Sequence, residues 1–187
     1  MSTEASSISP APLFEVLPGL PGVGPVPEAF SATGRGTHSE GLVVCFLPQT
    51  INSWVGNFQP GICQYNAVFM HPDGRTVIVI SGGTAYVVEP QSRTCLRHFG
   101  ACITSAACDL SRKLLVISDL THLWLFDDRG ERWVSKRISL DGIRNLRIET
   151  ETVSGESYDP MSDRWYSFSV TLKSGELQHR IRRFFQF

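Results

Sequence analysis

The sequence predicts an all-β protein of antiparallel, propeller-like or strongly twisted stacked sheets, with about three blade-like units and an irregular N-terminal Pro/Gly arm. Three observations lead to this prediction. Short apolar runs are rich in β-branched and aromatic residues, Gly, Pro or Asp stands at each break, and no long stretch has helical periodicity. The length of 187 residues, with 42% hydrophobic and 19% charged residues, is typical of one globular domain.

Residues 1 to 40 differ from the rest of the chain because they are rich in Ser, Pro and Gly. Proline fixes φ and lacks a backbone donor, so this stretch is not predicted to form a regular helix or a central strand. It nevertheless carries large apolar groups such as Leu13 and Phe14. We therefore predict a disordered tail over residues 1–10, an arm over residues 11–40 that packs on the domain, and a single β domain over residues 41–187.

An internal repeat indicates the blades. Residues 76–81 align with residues 113–118 in a register of 37, and each unit is expected to contain about four strands. The predicted polar outer strands are residues 94–98 and 132–136. A third, distorted unit follows from residue 143. Because a closed propeller needs at least four blades, this count predicts an incomplete propeller, a twisted stack closed by the arm, or half of a dimer.

Composition narrows the function classes. The formal net charge of −1 lacks the basic excess of a nucleic-acid-binding protein. Five cysteines form an odd set without Cys-x-x-Cys spacing, which favours reduced thiols buried in strands over a disulfide framework. The N-terminus lacks the features of a signal peptide and no apolar run is long enough to span a bilayer, so we expect a cytoplasmic protein without a membrane partner.

Several segments between residues 20 and 175 resemble a group of uncharacterised bacterial all-β proteins with propeller-like strand repeats. The matching segments are Leu20-Pro-Gly-Val-Gly-Pro-Val-Pro27, Glu40-Gly-Leu-Val-Val44, Trp54-Val-Gly-Asn-Phe-Gln59, Asp141-Gly-Ile143, and Gly155-Glu-Ser-Tyr-Asp-Pro160 with Trp165, Phe168 and Thr171-Leu-Lys-Ser-Gly175. The resemblance implies one domain and carries no mechanism, because a shared fold does not deliver a function.

Candidate chemistry is sparse. Glu149 and Glu151 are predicted on one face of a strand, about 6 to 7 Å apart, which approaches the carboxylate separation of an inverting glycosidase. Nothing in the sequence around them would raise one pKa, so a solvated sheet face is the favoured interpretation. Asp127-Asp128-Arg129-Gly130 fits a β-turn better than a calcium loop. A Cys–His nucleophile would need Cys108 with His98 or His122, and no sequence feature brings them together. We predict no metal, cofactor or catalytic residue.

A rigid sheet scaffold without an active site most simply presents a surface to another protein. We predict a non-enzymatic protein-binding module, in its most specific form a bacterial immunity protein that neutralises a basic toxin such as a cationic nuclease. Acidic loops would steer that partner. The predicted partner-binding residues are Asp119, Asp127, Asp128, Glu149, Glu151 and Glu156. A hydrolase or carbohydrate-binding protein, and a structural module that forms a homodimer, remain as alternatives.

Overall fold

The computed structural model describes residues 13–34, 36 and 38–181, and these residues form sixteen strands and no helix. The strands make four sheets of four strands each. The prediction of an all-β protein is thus confirmed. The predicted disordered tail over residues 1–10 and the last six residues of the predicted domain, 182–187, lie outside the described residues.

The first two sheets span residues 14 to 99. The first sheet has the strand order β1-β3-β4-β2. Its strands are β1 (Phe14–Leu17), β2 (Glu28–Phe30), β3 (Leu42–Phe46) and β4 (Trp54–Phe58). The second sheet is a simple meander of β5 (Ala67–Met70), β6 (Val77–Ser81), β7 (Thr84–Glu89) and β8 (Thr94–Phe99). All these pairs are antiparallel except β2 with β4, which is parallel.

The last two sheets are antiparallel meanders as well. The third contains β9 (Ser105–Asp109), β10 (Leu114–Ser118), β11 (Leu123–Asp127) and β12 (Gly130–Val134). The fourth contains β13 (Ile143–Ile148), β14 (Thr152–Asp159), β15 (Arg164–Thr171) and β16 (Leu177–Ile181). The predicted register of 37 holds, since it carries β6 onto β10 residue for residue. The predicted outer strand at residues 132–136 instead lies at Gly130–Val134.

Three apolar clusters join consecutive sheets. In β6, Val77 and Val79 belong to the cluster shared with the first sheet, whereas Ile78 and Ile80 belong to the cluster shared with the third. The residues of β10 alternate in the same way between the second and fourth sheets. Successive side chains of a strand point to opposite faces, so a strand between two sheets must be apolar at every position. This requirement explains the uninterrupted runs Val-Ile-Val-Ile and Leu-Leu-Val-Ile.

The arm accounts for the difference between the predicted count of about three units and the four sheets observed. Its residues 14–17 and 28–30 are strands β1 and β2, which form the two edges of the first sheet. Phe14 and Phe30 also pack against the apolar cluster between the first and second sheets. Repeat comparison missed this sheet because its edge strands come from a Pro-rich segment that lacks the strand–turn–strand spacing of the other units.

The predicted set of five reduced cysteines is wrong at two positions, because Cys63 and Cys102 form a disulfide across 39 residues of sequence. The bond joins the segments that precede the second and third sheets. Both segments hold the tight turn Gly82-Gly83 between β6 and β7. The Cys63 amide donates to the Gly82 carbonyl and the Ile103 amide donates to the Gly83 carbonyl, each at 2.9 Å. Spacing could not reveal this pair, because the two cysteines meet only when the sheets stack.

Two ends of the stack can be distinguished. Arg112, in the β9–β10 turn, donates to the carbonyl of Glu149 in the β13–β14 turn at 2.8 Å. The Gly142 amide donates to the carbonyl of Leu120 in the β10–β11 turn at 2.8 Å. We call the end of the stack with the first contact the Arg112 end, and the end with the second contact the Gly142 end.

Candidate functional site

The fourth sheet presents a polar face. Along β14 and β15 the residues alternate between buried and half-buried. Val153, Phe168 and Val170 pack into the cluster with the third sheet. The opposite face carries Ser154, Glu156 and their cross-strand neighbours, since Glu156 pairs with Ser167 and Ser154 pairs with Ser169. This strict alternation is the pattern of a sheet with one face toward the core and one toward solvent.

A stack of Arg144, Trp165 and Tyr158 lies on this face near the Gly142 end. The guanidinium carbon of Arg144 stands 3.9 Å from the centroid of the Trp165 ring, within the range of a cation–π contact. The Tyr158 and Trp165 rings are 5.2 Å apart and tilted by 43°. Tyr158 pairs directly with Trp165 across the hairpin, so the β14–β15 turn fixes the two rings next to each other.

Carboxylates surround the aromatic pair. The Tyr158 hydroxyl donates to Asp163 in the β14–β15 turn. This hydrogen bond is the main reason that the pKa of Tyr158 is raised, with smaller contributions from desolvation and from the charges of Asp163, Asp141 and Asp159. The charged groups that raise the pKa of Tyr158 are three acids, Asp163, Asp141 and Asp159. Met161, in the same turn, is 88% exposed.

Glu156 is the predicted site residue that belongs to this face. Its carboxylate accepts hydrogen bonds from the Arg144 guanidinium and the Asn145 amide, both at 2.8 Å. The pairing of β13 with β14 is irregular between Arg144 and Arg147, and Asn145 takes a φ of 55° there. At this irregularity the side-chain amide of Asn145 faces Glu156. Glu156 thus fixes the arginine that covers Trp165.

Glu149 and Glu151 do not lie on a strand as predicted, because β13 ends at Ile148 and both residues occupy the turn before β14. The Glu149 amide donates to the Thr152 carbonyl at 2.8 Å and closes that turn. Hydrogen bonds from the hydroxyls of Ser154 and Thr152 lower the pKa of Glu149. A general acid would need a raised pKa, so the hydrolase alternative has no support at this residue.

Glu149 and Glu156 contribute to one shallow polar pocket of about 310 Å³ on the fourth-sheet face. Arg147 and Ser154 line it as well, and the charge of Arg147 favours the ionised form of Glu149. The pocket holds both signs of charge, so it is a mixed polar depression.

The other predicted carboxylates lie elsewhere. Asp127 and Asp128 are in the β11–β12 turn, where Asp127 accepts from the Arg129 amide at 2.9 Å, as the predicted β-turn requires. Asp119 is at the Gly142 end and accepts from the amides of Thr121 and His122, each at 2.6 Å. The six predicted residues are therefore spread over both ends of the third and fourth sheets. Glu149 and Glu156 share one pocket, and Asp127 and Asp128 share another.

Sequence reasoning missed the residues that make the aromatic site. They are Asp141, Arg144, Tyr158, Asp159, Asp163 and Trp165. One signal was available: Tyr158 and Trp165 flank the turn segment Asp159-Pro160 to Arg164 symmetrically, which is the spacing of a cross-strand pair. Trp54 is buried between the first two sheets.

The structure does not support a Cys–His nucleophile at Cys108. Burial, followed by the charge of Asp109, raises the pKa of the Cys108 thiol, which disfavours the nucleophilic thiolate. His122 is at the Gly142 end, where its Nδ1 lies 2.7 Å from the Thr121 hydroxyl. Over the part of the chain that the structure describes, no three His, Cys, Asp or Glu side chains are grouped in a way that could hold a metal ion.

Neither a scan against protein-family models nor a search of curated proteins gave a match. Among residues 13–34, 36 and 38–181, no helix is both long and apolar enough to cross a bilayer.

Proposed function

We propose that the protein is a non-enzymatic binding module that uses the Gly142 end of the fourth-sheet face to bind a basic protein partner. The observation that carries this proposal is the ordered stack of Arg144, Trp165 and Tyr158 within a group of carboxylates. In its most specific form, the proposal is a bacterial immunity protein that occludes a cationic toxin.

The composition of the stack supports a protein partner. Trp, Tyr and Arg are the residues that most often dominate binding energy at protein interfaces. Here all three are held in place before any partner arrives, Arg144 by Glu156 and Tyr158 by Asp163. Such preorganisation reduces the entropy lost on binding. The exposed Met161 and the half-exposed Leu140 add apolar area at the margin.

The charges support a basic partner. Asp141, Asp159 and Asp163 all act on Tyr158. A negative potential around an aromatic hot spot accelerates association with a cationic surface and disfavours an acidic one. This interface would form fastest at low salt and weaken as ionic strength rises.

The architecture that we propose for this scaffold is that of propeller-like blades. Its support is the register of 37 shared by the second and third sheets and the face-to-face stacking of all four sheets through three apolar clusters. The loops at each end of such a stack are brought together, which is how blade proteins form extended binding surfaces.

The binding proposal is tested by affinity capture on three immobilised proteins. One is the wild type, and the second is the double variant Trp165→Ala, Asp163→Asn. The third is the double variant Asp127→Asn, Asp128→Asn, which is the control at the Arg112 end. We expect a basic protein on the wild type and the control, and a loss of at least tenfold on the Trp165 variant, with all three equally folded by circular dichroism. Equal capture by all three proteins would exclude this face.

The immunity proposal needs a further experiment. The captured protein is expressed in a bacterial host with and without this chain. Growth arrest that this chain relieves, and that the Trp165→Ala, Asp163→Asn variant fails to relieve, is the expected result. A captured protein that is harmless when expressed alone would refute the immunity function while leaving the binding function intact.

A further inference from the structure

A small cavity opens between the second and third sheets at the Arg112 end, on the opposite end of the stack from the proposed partner surface. Its volume is about 190 Å³. The β5–β6 turn forms one wall and the β9–β10 turn forms the other. His71, Asp109 and Lys113 line it, but most of the lining is apolar and comes from Met70, Pro72, Cys108, Leu110 and Leu114.

Each wall is a turn that is fixed by its own hydrogen bonds. In the first turn, Asp73 accepts from the amides of Arg75 and Thr76 at 2.8 and 2.9 Å and from the Thr76 hydroxyl at 2.8 Å. In the second, Asp109 accepts from the Ser111 hydroxyl at 2.7 Å and the Arg112 amide at 3.1 Å. Both turns are therefore fixed in shape without a ligand.

His71 contributes the one imidazole of the lining, and its environment keeps it neutral. The residue is 5% exposed, and burial lowers the pKa of its imidazole despite the opposing charge of Asp73. The ring is held by the Asp73 amide, which donates to its Nδ1 at 3.1 Å, and by an edge contact with Phe126. At neutral pH the imidazole that faces the cavity therefore carries no charge.

Leu110 gives the cavity an apolar entrance. It is 78% exposed, although leucine normally seeks burial. A leucine at the mouth of an apolar cavity would lose most of its exposure when an apolar group enters. The volume is large enough for one aromatic ring, because an apolar cavity of about 150 Å³ accommodates one benzene ring.

We propose that this cavity binds one uncharged aromatic ring, of phenyl or indole size. The ring would lie between Pro72 and Leu110, against Met70 and the neutral His71. Neither the proposed partner surface nor its charges are needed for this binding, so the two proposals stand or fall separately. The ring can belong to a free small molecule or to a side chain of a polypeptide, and the two probes below distinguish these sources.

Methyl-labelled methionine provides the readout. The chain has three methionines, Met1, Met70 and Met161, of which Met70 lines the cavity and Met161 lies at the other end. We expect indole to shift the Met70 methyl resonance saturably, with a dissociation constant of about 1 mM for a ligand of this size, and to leave the Met161 resonance unchanged. Cyclohexanol at the same concentration serves as the non-aromatic comparison and should bind at least threefold more weakly.

Two variants sharpen the test. Cys108→Phe places a ring in the cavity and should weaken indole binding at least tenfold, whereas Arg132→Phe adds an exposed ring on β12 and should change nothing. N-acetyltryptophan amide is the second probe. If it binds as tightly as indole, the site is assigned to a polypeptide side chain. If only indole binds, the site is assigned to a small molecule. A Met70 resonance that no ring shifts, or equal indole affinity in Cys108→Phe and wild type, would overturn the proposal.

Discussion

The third and fourth sheets make different use of the same strand geometry. Strand β10 is buried at every position because sheets pack on both its faces. Strands β14 and β15 alternate because only one of their faces packs against another sheet in the described part of the chain. The internal sheet therefore contributes mainly to stability, and the terminal sheet has a face free to carry chemistry. The Arg144–Trp165–Tyr158 stack lies on that face.

The disulfide reinforces the internal half, and its loss should have the largest effect on stability. For a loop of 39 residues, the chain-entropy model gives a contribution of about 4 kcal/mol. We expect Cys63→Ser with Cys102→Ser to lower the free energy of unfolding by about that amount in urea titrations. Reductant should destabilise the wild type and leave the double variant unchanged. A double variant as stable as the oxidised wild type would contradict the cross-link.

A pair of alanine substitutions tests the comparison between the two sheets directly. Ile117→Ala in β10 removes a fully buried side chain and should cost about 3 kcal/mol of unfolding free energy. Ser167→Ala in β15, on the polar face, should change it by less than about 0.5 kcal/mol. Similar costs for the two variants, measured by urea denaturation, would mean that the face of the fourth sheet is packed as tightly as the interior.

The Asp73 turn makes a smaller, pH-dependent contribution. Burial acts to raise the pKa of Asp73, but hydrogen bonds from Thr76 and Arg75, together with His71, outweigh burial and lower it. A carboxyl whose folded-state pKa is depressed adds stability above its unfolded pKa and loses it as the pH falls through the folded value. Asp73→Asn should thus cost about 1 kcal/mol at pH 7. The deficit should shrink as the pH falls below about 4; a deficit that is constant from pH 7 to pH 2 would contradict this assignment.

The smallest expected effect concerns two four-residue turns of the same form, one in each sheet. Lys113 and Asp163 both take a positive φ, of 52° and 50°. Glycine adopts this conformation without strain, so Lys113→Gly should stabilise the protein by about 0.5 kcal/mol. Asp163→Gly should not, because it also removes the acceptor of the Tyr158 hydroxyl. Thermal unfolding of both variants measures the difference, and equal stabilisation would argue against the hydrogen bond.

The sequence predicted the parts of the fold that depend on local pattern. Apolar runs such as residues 77–81 are strands, and the turns at Gly82-Gly83 and Gly175 have the positive φ that their glycines allow. The first sheet was not predicted as a sheet, since β2 pairs in parallel with β4 across a long connection. The Cys63–Cys102 pair likewise depends on how sheets stack, which no local pattern encodes.

The candidate site was less predictable than the fold for the same reason. Acidic residues were selected by type and by their position in loops, and only Glu156 falls within the aromatic site. Whether a tyrosine or tryptophan on an alternating strand faces the core or solvent depends on which face meets the next sheet. Tyr158 and Trp165 lie on the face opposite to Val153 and Phe168, and that assignment needed the packing of the third sheet on the fourth.

The bond between Cys63 and Cys102 also has a topological consequence for the chain. It encloses the whole second sheet, residues 67–99, within a covalent ring. A protease that cuts once inside this ring would leave two fragments that migrate together on a denaturing gel and separate only after reduction. Limited digestion thus reports, without any structure determination, whether the molecule isolated from cells carries the ring or the open chain.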